Sequence, residues 1–235
     1  MSDSLHPASR PCRIAVLASG RGSNLAALVA ARAAGRLPVE FAGVFSDRAG
    51  AGALDIARAH GIPALALSPK EFADRAAFDE SLFSRIAAVQ PDLIVCAGYM
   101  RLISEAAVRR FAGRMINIHP SLLPKYPGLH THARAIAAGE REHGASVHYV
   151  IPALDAGPVI AQATVPVLAG DTPETLARRV LEREHPLLVA SVRLLAEGRV
   201  RQAGAAVELD GRPLPAPLLL GPDQELHLPC VSSTA

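Results

Sequence analysis

The chain alternates short unbroken apolar runs with longer stretches in which apolar residues recur every three or four positions. Residues 13–18 (RIAVLA), 39–45, 64–67, 93–97 and 115–118 are runs of strand length, the pattern of strands buried on both faces of a parallel sheet. Between them, residues 25–34 are rich in Ala and Leu and stop at Gly35, and residues 53–60 stop at Gly61, as helices do. Phe78, Leu82, Ile86 and Val89 fall at helical spacing and predict a third helix to about Gln90. Ser104 can cap a short fourth helix through Phe111. Strands alternating with helices in this way mean βαβ units and a mainly parallel, twisted sheet.

The second half changes character. Residues 131–138 predict a short helix closed by Gly139, and the strands 146–150 and 159–165 are close enough in sequence to pair antiparallel. Thr172-Pro173-Glu174 is a helix start with a cap, a proline at the first position and an early acid. That helix is expected to run to Glu184, to kink or break at Pro186, and to resume to Glu197. Residues 200–214 predict a hairpin turned at Asp210-Gly211. The expected organisation is a disordered leader (1–12), a single domain (13–214), and a loosely held, proline-rich tail (215–235).

Composition narrows the function classes. The net charge of +2 over 235 residues, with no basic run and only 4% aromatic residues, leaves no nucleic-acid footprint. No apolar run reaches membrane-spanning length and the N-terminus lacks the charged-then-apolar pattern of a signal peptide, so the expectation is a cytoplasmic protein without membrane contact. Cys12, Cys96 and Cys230 are odd in number and far apart, which fits neither a disulfide framework nor a paired metal site. His130, His132, His143 and His148 show no metal-ligand spacing, so no metal is expected.

Three constellations carry chemistry. The stretch Ser19-Gly20-Arg21-Gly22-Ser23-Asn24 follows a buried strand and opens a helix, which suits an anion held by backbone N–H groups and by the Ser and Asn side chains. It lacks the Lys of a P-loop, and Leu25 stands where a dinucleotide fingerprint needs its third glycine. Asn117 and His119, two apart on the fifth strand, put an amide and an imidazole on one face at the strand's carboxyl end, before a loop stiffened by Pro120, Pro124 and Pro127. Asp155, in L-D-A-G-P, is either a turn aspartate bonding its own backbone or an acid that orients and charges His119.

The run N-I-H-P-S-L-L-P-K-Y-P-G-L-H-T-H from Asn117 to His132 resembles the signature of the folate-dependent phosphoribosylglycinamide formyltransferase family. S-G-R-G-S-N, G-Y-M-R-L-I-S from Gly98, H-G-A-S-V-H-Y-V from His143 and L-D-A-G-P-V-I from Leu154 resemble its other blocks in the same order. Ala156 departs from the pattern, standing where many relatives carry a second glycine. The resemblance implies a sheet of about seven strands with helices on both faces. It implies transfer of the formyl group of 10-formyltetrahydrofolate to the amine of glycinamide ribonucleotide in purine biosynthesis, with Asn117, His119 and Asp155 as the catalytic trio. Gly22, Ser23, Asn24 and Glu184 would hold the ribonucleotide. Arg75, Met100, Arg101, Leu102, Ile103, Ile151 and Leu154, with Asn117 and Asp155, would line the folate site. A homodimer is left open.

Two relatives are rivals, the first of them sharing the trio. A formyltetrahydrofolate hydrolase would need a regulatory domain where only about a dozen residues precede Arg13, and a methionyl-tRNA formyltransferase would need a basic C-terminal domain. A third rival, a non-catalytic nucleotide-binding module or dehydrogenase domain, would use Asp47 after the second strand as its ribose-binding acid.

Overall fold

The computed structural model describes residues 10–229. A nine-stranded sheet runs through it in the order β12 (Leu226–His227), β11 (Leu218–Leu220), β7 (Val159–Pro166), β6 (Glu142–Tyr149), β5 (Met115–His119), β4 (Leu93–Cys96), β1 (Cys12–Leu17), β2 (Val39–Ser46) and β3 (Ala64–Ala66). β1 (Cys12–Leu17) lies inside it and pairs in parallel with β2 (Val39–Ser46) and β4 (Leu93–Cys96). β3 (Ala64–Ala66) and β5 (Met115–His119) extend the parallel set on either side. β6 (Glu142–Tyr149) then runs antiparallel to both β5 and β7 (Val159–Pro166).

Alternation along the strands divides the core into two layers. Ile14, Val16, Leu93, Val95, Ile116 and Ile118 face helices α1 (Ser23–Ala33), α2 (Gly52–Ala59) and α6 (Pro173–Ala196). Ala15, Leu17, Ile94, Cys96 and Met115 face α3 (Arg75–Ala88) and α4 (Glu105–Arg110), whose Phe78, Leu82, Phe83, Ile86 and Phe111 complete the second layer. A small helix, α5 (Thr131–Ala137), precedes β6. Cys96 is buried in the second layer, where burial pushes its thiol up to about 12, so it is an unreactive apolar side chain.

Four expectations change. α6 does not break at Pro186, because Leu176, Val180, Leu187, Leu188 and Val192 are buried along its length and hold it as one helix. The proline costs roughly 3 kcal/mol, while each buried aliphatic side chain contributes about 1.5–3 kcal/mol. Residues 200–214 form two turns rather than one. β8 (Val200–Ala203) and β9 (Ala206–Leu209) turn through Gly204, and β9 and β10 (Arg212–Pro213) turn through Asp210-Gly211, both with positive φ. The tail is ordered in part: β11 (Leu218–Leu220) adds in parallel to β7, and β12 (Leu226–His227) folds back on β11, which raises the strand count above seven. The leader's expected end also shifts by a residue, since β1 opens at Cys12 and Arg10 is paired with Asp92. Residues 1–9 and 230–235, including Cys230, lie outside the described residues.

Candidate active site

β1 connects outward to β2 while its other neighbour, β4, is reached by a crossover. The loops leaving β1 and β4 therefore diverge at a switch point of the sheet, where α/β folds open a crevice at the strands' carboxyl ends. Ser19 N donates to Gly98 O at 3.0 Å across this point.

Asn117 and His119 leave β5 on the α3/α4 side, opposite the buried Ile116 and Ile118. His119 is held at both ring nitrogens. Nε2 donates to the Tyr126 carbonyl at 3.0 Å, and Nδ1 faces Asp155 Oδ2 at 3.5 Å. Asp155 reaches the ring from the turn between β6 and β7 with a positive φ of 49°. Its Oδ2 also accepts from Gly128 N at 2.8 Å, which ties the proline-rich loop to the same carboxylate. Gly157 sets the turn's height: a Cβ there would stand 1.8 Å from the Tyr149 carbonyl oxygen. The trio thus converges from two separate parts of the chain.

A fourth side chain joins it. His148 is the cross-strand partner of Asn117, and its Nε2 lies 3.2 Å from Asn117 Nδ2 and 3.7 Å from Asp155 Oδ1. His148 Nδ1 bonds the Tyr149 carbonyl at 2.9 Å, so that nitrogen carries the proton and Nε2 accepts from the Asn117 amide. Burial lowers the basicity of His148, partly opposed by the Tyr149 carbonyl and Asp155, and keeps the ring neutral in this role. The sequence names His148 only as a weak metal candidate, since its place beside Asn117 depends on strand register.

Beside the trio opens a cleft of about 560 Å³ including its mouth, lined by Tyr99, Arg101, Leu102, Ile103, Asn117, His148, Val150, Ile151, Leu154 and Asp155, among others. Six residues assigned to the folate side by resemblance besides Asn117 therefore share one cavity with it: Arg101, Leu102, Ile103, Ile151, Leu154 and Asp155. Met100 and Arg75 do not line it. Met100 is exposed, as are Leu102 and Leu154, and Arg75 is exposed at the start of α3. Aliphatic walls suit a flat ring system. Tyr99 Oη and Arg101 Nε are buried with no hydrogen-bond partner among the described residues, which suits a ring with a polar edge.

At the end of β1, Gly22 takes a left-handed φ of 83° as the N-cap of α1, with no side-chain cap and no acid in the first turn. A Cβ there would lie 2.7 Å from Ala53 Cα, so the loop packs on α2 only with glycine. Asn24 Nδ2 donates to Glu184 Oε2 at 3.1 Å, joining α1 to α6. Burial raises the Glu184 carboxyl's affinity for its proton, with the Asn24 bond opposing it. Glu184 had no signal in the sequence other than the resemblance; the structure puts it against the loop. Asp47, the acid of the dehydrogenase reading, is buried and accepts from Ser19 Oγ at 2.6 Å. Among the described residues, no three His, Cys, Asp or Glu side chains are grouped to hold a metal ion, and no helix is long and apolar enough to cross a membrane.

Comparison with known proteins agrees with this geometry. The formyl transferase family profile matches residues 12–192. The phosphoribosylglycinamide formyltransferase of Escherichia coli K12 is 46% identical over 202 residues, spanning 86% of this chain and 95% of that protein. The phosphoribosylglycinamide formyltransferase structure from Coxiella burnetii superposes with a TM-score of 0.83 at 48% identity, covering 87% of this chain and 96% of that one. The glycinamide ribonucleotide transformylase 1 structure from Symbiobacterium toebii gives a TM-score of 0.83 at 44% identity, covering 86% and 95%. On the switch-point crevice, the converging trio and these likenesses, the chain belongs to the formyl transferase family and groups within it with the phosphoribosylglycinamide formyltransferases.

Proposed function

We propose that this chain transfers a formyl group from 10-formyltetrahydrofolate to the amine of glycinamide ribonucleotide, in the cytoplasm, as a step of purine biosynthesis. The observation that carries the reading is the meeting of Asn117, His119 and Asp155 beside the cleft. The Gly22–Asn24 loop and Glu184 form the second subsite.

The folate donor supplies an activated formyl carbon whose departing nitrogen is a weak base. Asn117 gives one amide N–H to His148 and keeps the other for the formyl oxygen, where negative charge develops as the amine attacks. The attacking amine must lose a proton and the departing nitrogen must gain one; His119 relays it through Nε2 once that nitrogen leaves the Tyr126 carbonyl, while Nδ1 stays on Asp155. Asp155 holds the ring through Nδ1 and balances the charge the ring carries while protonated. Arg101, Leu102, Ile103, Ile151 and Leu154 exclude water from the donor ring, and Met100 and Arg75, which do not line the cleft, are assigned to the donor by resemblance alone. Gly22, Ser23 and Asn24 bind the phosphate with backbone N–H groups and side chains, and Glu184 accepts from the sugar or amide of the ribonucleotide.

The test is an absorbance assay of donor deformylation with and without the ribonucleotide. The transferase reading expects deformylation that depends on ribonucleotide. Equal rates in both arms would indicate a hydrolase, and no rate in either would remove the catalytic reading.

A further inference from the structure

Residues 98–104, which carry Tyr99, Arg101, Leu102 and Ile103 along the cleft, belong to neither helix nor strand. Their backbone groups have no ladder of their own and must find partners elsewhere. At the leading end, Ser19 N donates to Gly98 O at 3.0 Å and Met100 N donates to Ser19 Oγ at 3.0 Å. Ser19 Oγ in turn donates to Asp47 Oδ1 at 2.6 Å. At the trailing end, Ser104 N donates to Asp79 Oδ2 at 2.6 Å. Ser19, Asp47 and Asp79 are 2%, 6% and 0% exposed, so the Ser19–Asp47 bond is buried and the bonds to Met100 N and Ser104 N are partly shielded from water. Tyr99 stands between the two acids: burial, then Asp47 and Asp79, disfavour loss of its proton.

Both anchors end on a carboxylate, which makes charge-assisted bonds stronger than neutral ones. A hydroxyl that donates to a carboxylate is also a better acceptor, so Asp47 strengthens the Ser19–Met100 bond. The outer oxygen of Asp47 faces Arg48 Nε at 3.8 Å, which leaves the inner one to Ser19.

We infer that the Ser19–Asp47 pair and Asp79 are positioning residues for the formyl-donor cleft, even though Ser19 opens the loop read as the ribonucleotide's phosphate cradle. The inference rests on the proposed transferase reading and adds a division of labour within the first loop. Ser19 serves the donor through residues 98–104, while Ser23 and Asn24 serve the ribonucleotide.

The experiment measures donor binding alone by fluorescence titration, and both KM values in the transfer assay. Ser19→Ala is expected to weaken donor binding and raise the donor KM about tenfold, the effect of one lost hydrogen bond. The ribonucleotide KM is expected to stay near the wild-type value. Ser23→Ala is expected to show the reverse split. Asp47→Asn, which keeps an acceptor for Ser19 but loses the charge, should raise the donor KM less than Asp47→Ala does, and Asp47→Ala should match Ser19→Ala. The double variant should be no worse than either alone, because the pair acts as one unit. Asp79→Ala should reproduce the donor-side effect and Asp79→Asn should largely restore it. Donor bound equally by wild type and Ser19→Ala, or equal shifts in both KM values, would overturn the inference alone. A wild-type chain that binds no donor would remove the transferase reading and this inference with it.

Discussion

At the residue scale, the site turns on which nitrogen holds which proton. Asn117 is oriented by a neutral His148 and His119 by a carboxylate, so the two groups that would meet the formyl carbon are each held by a partner of opposite character. Asn117→Ala and His119→Ala are each expected to lower kcat by about 10²- to 10³-fold, with unchanged circular dichroism. Near-normal turnover in either would remove that residue from the chemistry. Asp155→Asn should lower kcat while the melting temperature stays near wild type, because the carboxylate that faces Nδ1 is lost. Wild-type turnover in this variant would reduce Asp155 to a turn residue that bonds Gly128 N. That Asn117 and His119 share one strand face was legible from their two-residue spacing, and that Asp155 sits in a turn from the Gly-Pro after it, whereas its approach to His119 came only with the resemblance. His148 was not legible, because its role depends on the antiparallel register that sets it opposite Asn117.

At the scale of elements, the parallel half was read from apolar runs and glycine stops, and those runs and stops lie where the strands and helices form. Two of the misreadings share a cause: tertiary burial outweighed local signals. Pro186 looked like a break, but a continuous buried face carries α6 through it. Leu218-Leu219-Leu220 is too short for periodicity and is flanked by prolines, yet Leu218 and Leu220 are buried against the edge of the sheet. Arg183 Nη2 donates to the carbonyls of Leu220 and Gly221, and Arg193 pairs with Glu225, so α6 clamps this extension. Truncation after Leu214 should therefore cost about 3 kcal/mol or more from the two leucines and bare the β7 edge to strand addition. A thermal melt with size-exclusion chromatography checks this, and an unchanged melting temperature would show the extension to be dispensable. Gly22→Ala should destabilise the fold and raise the ribonucleotide KM, since the added methyl meets the backbone of α2. An alanine variant with both values unchanged would mean the loop can move away from α2.

At the scale of the whole molecule, His143 and His148 are buried and His132 and His185 half-buried, and burial favours the neutral ring in each. Burial lowers His143 to about 4, with His132 beside it adding to the shift, and lowers His132, His148 and His185 as well. A group with a depressed folded value binds fewer protons folded than unfolded. Stability is therefore full above about pH 6.5 and declines as pH falls from there toward about 4. The melting temperature should drop between pH 7 and pH 5, and His143→Gln should flatten that drop; a flat wild-type curve would contradict the burial argument.

The same global arrangement brings the β1 and β4 loops and the end of β5 to one edge of the sheet, and the account stands on that edge being where one carbon changes hands. The most direct measurement follows a ¹³C-labelled formyl carbon by NMR in wild type and His119→Ala. The account predicts label on the ribonucleotide amine with wild type and almost none with the variant. Label released as formate, or equal rates from both proteins, would contradict it.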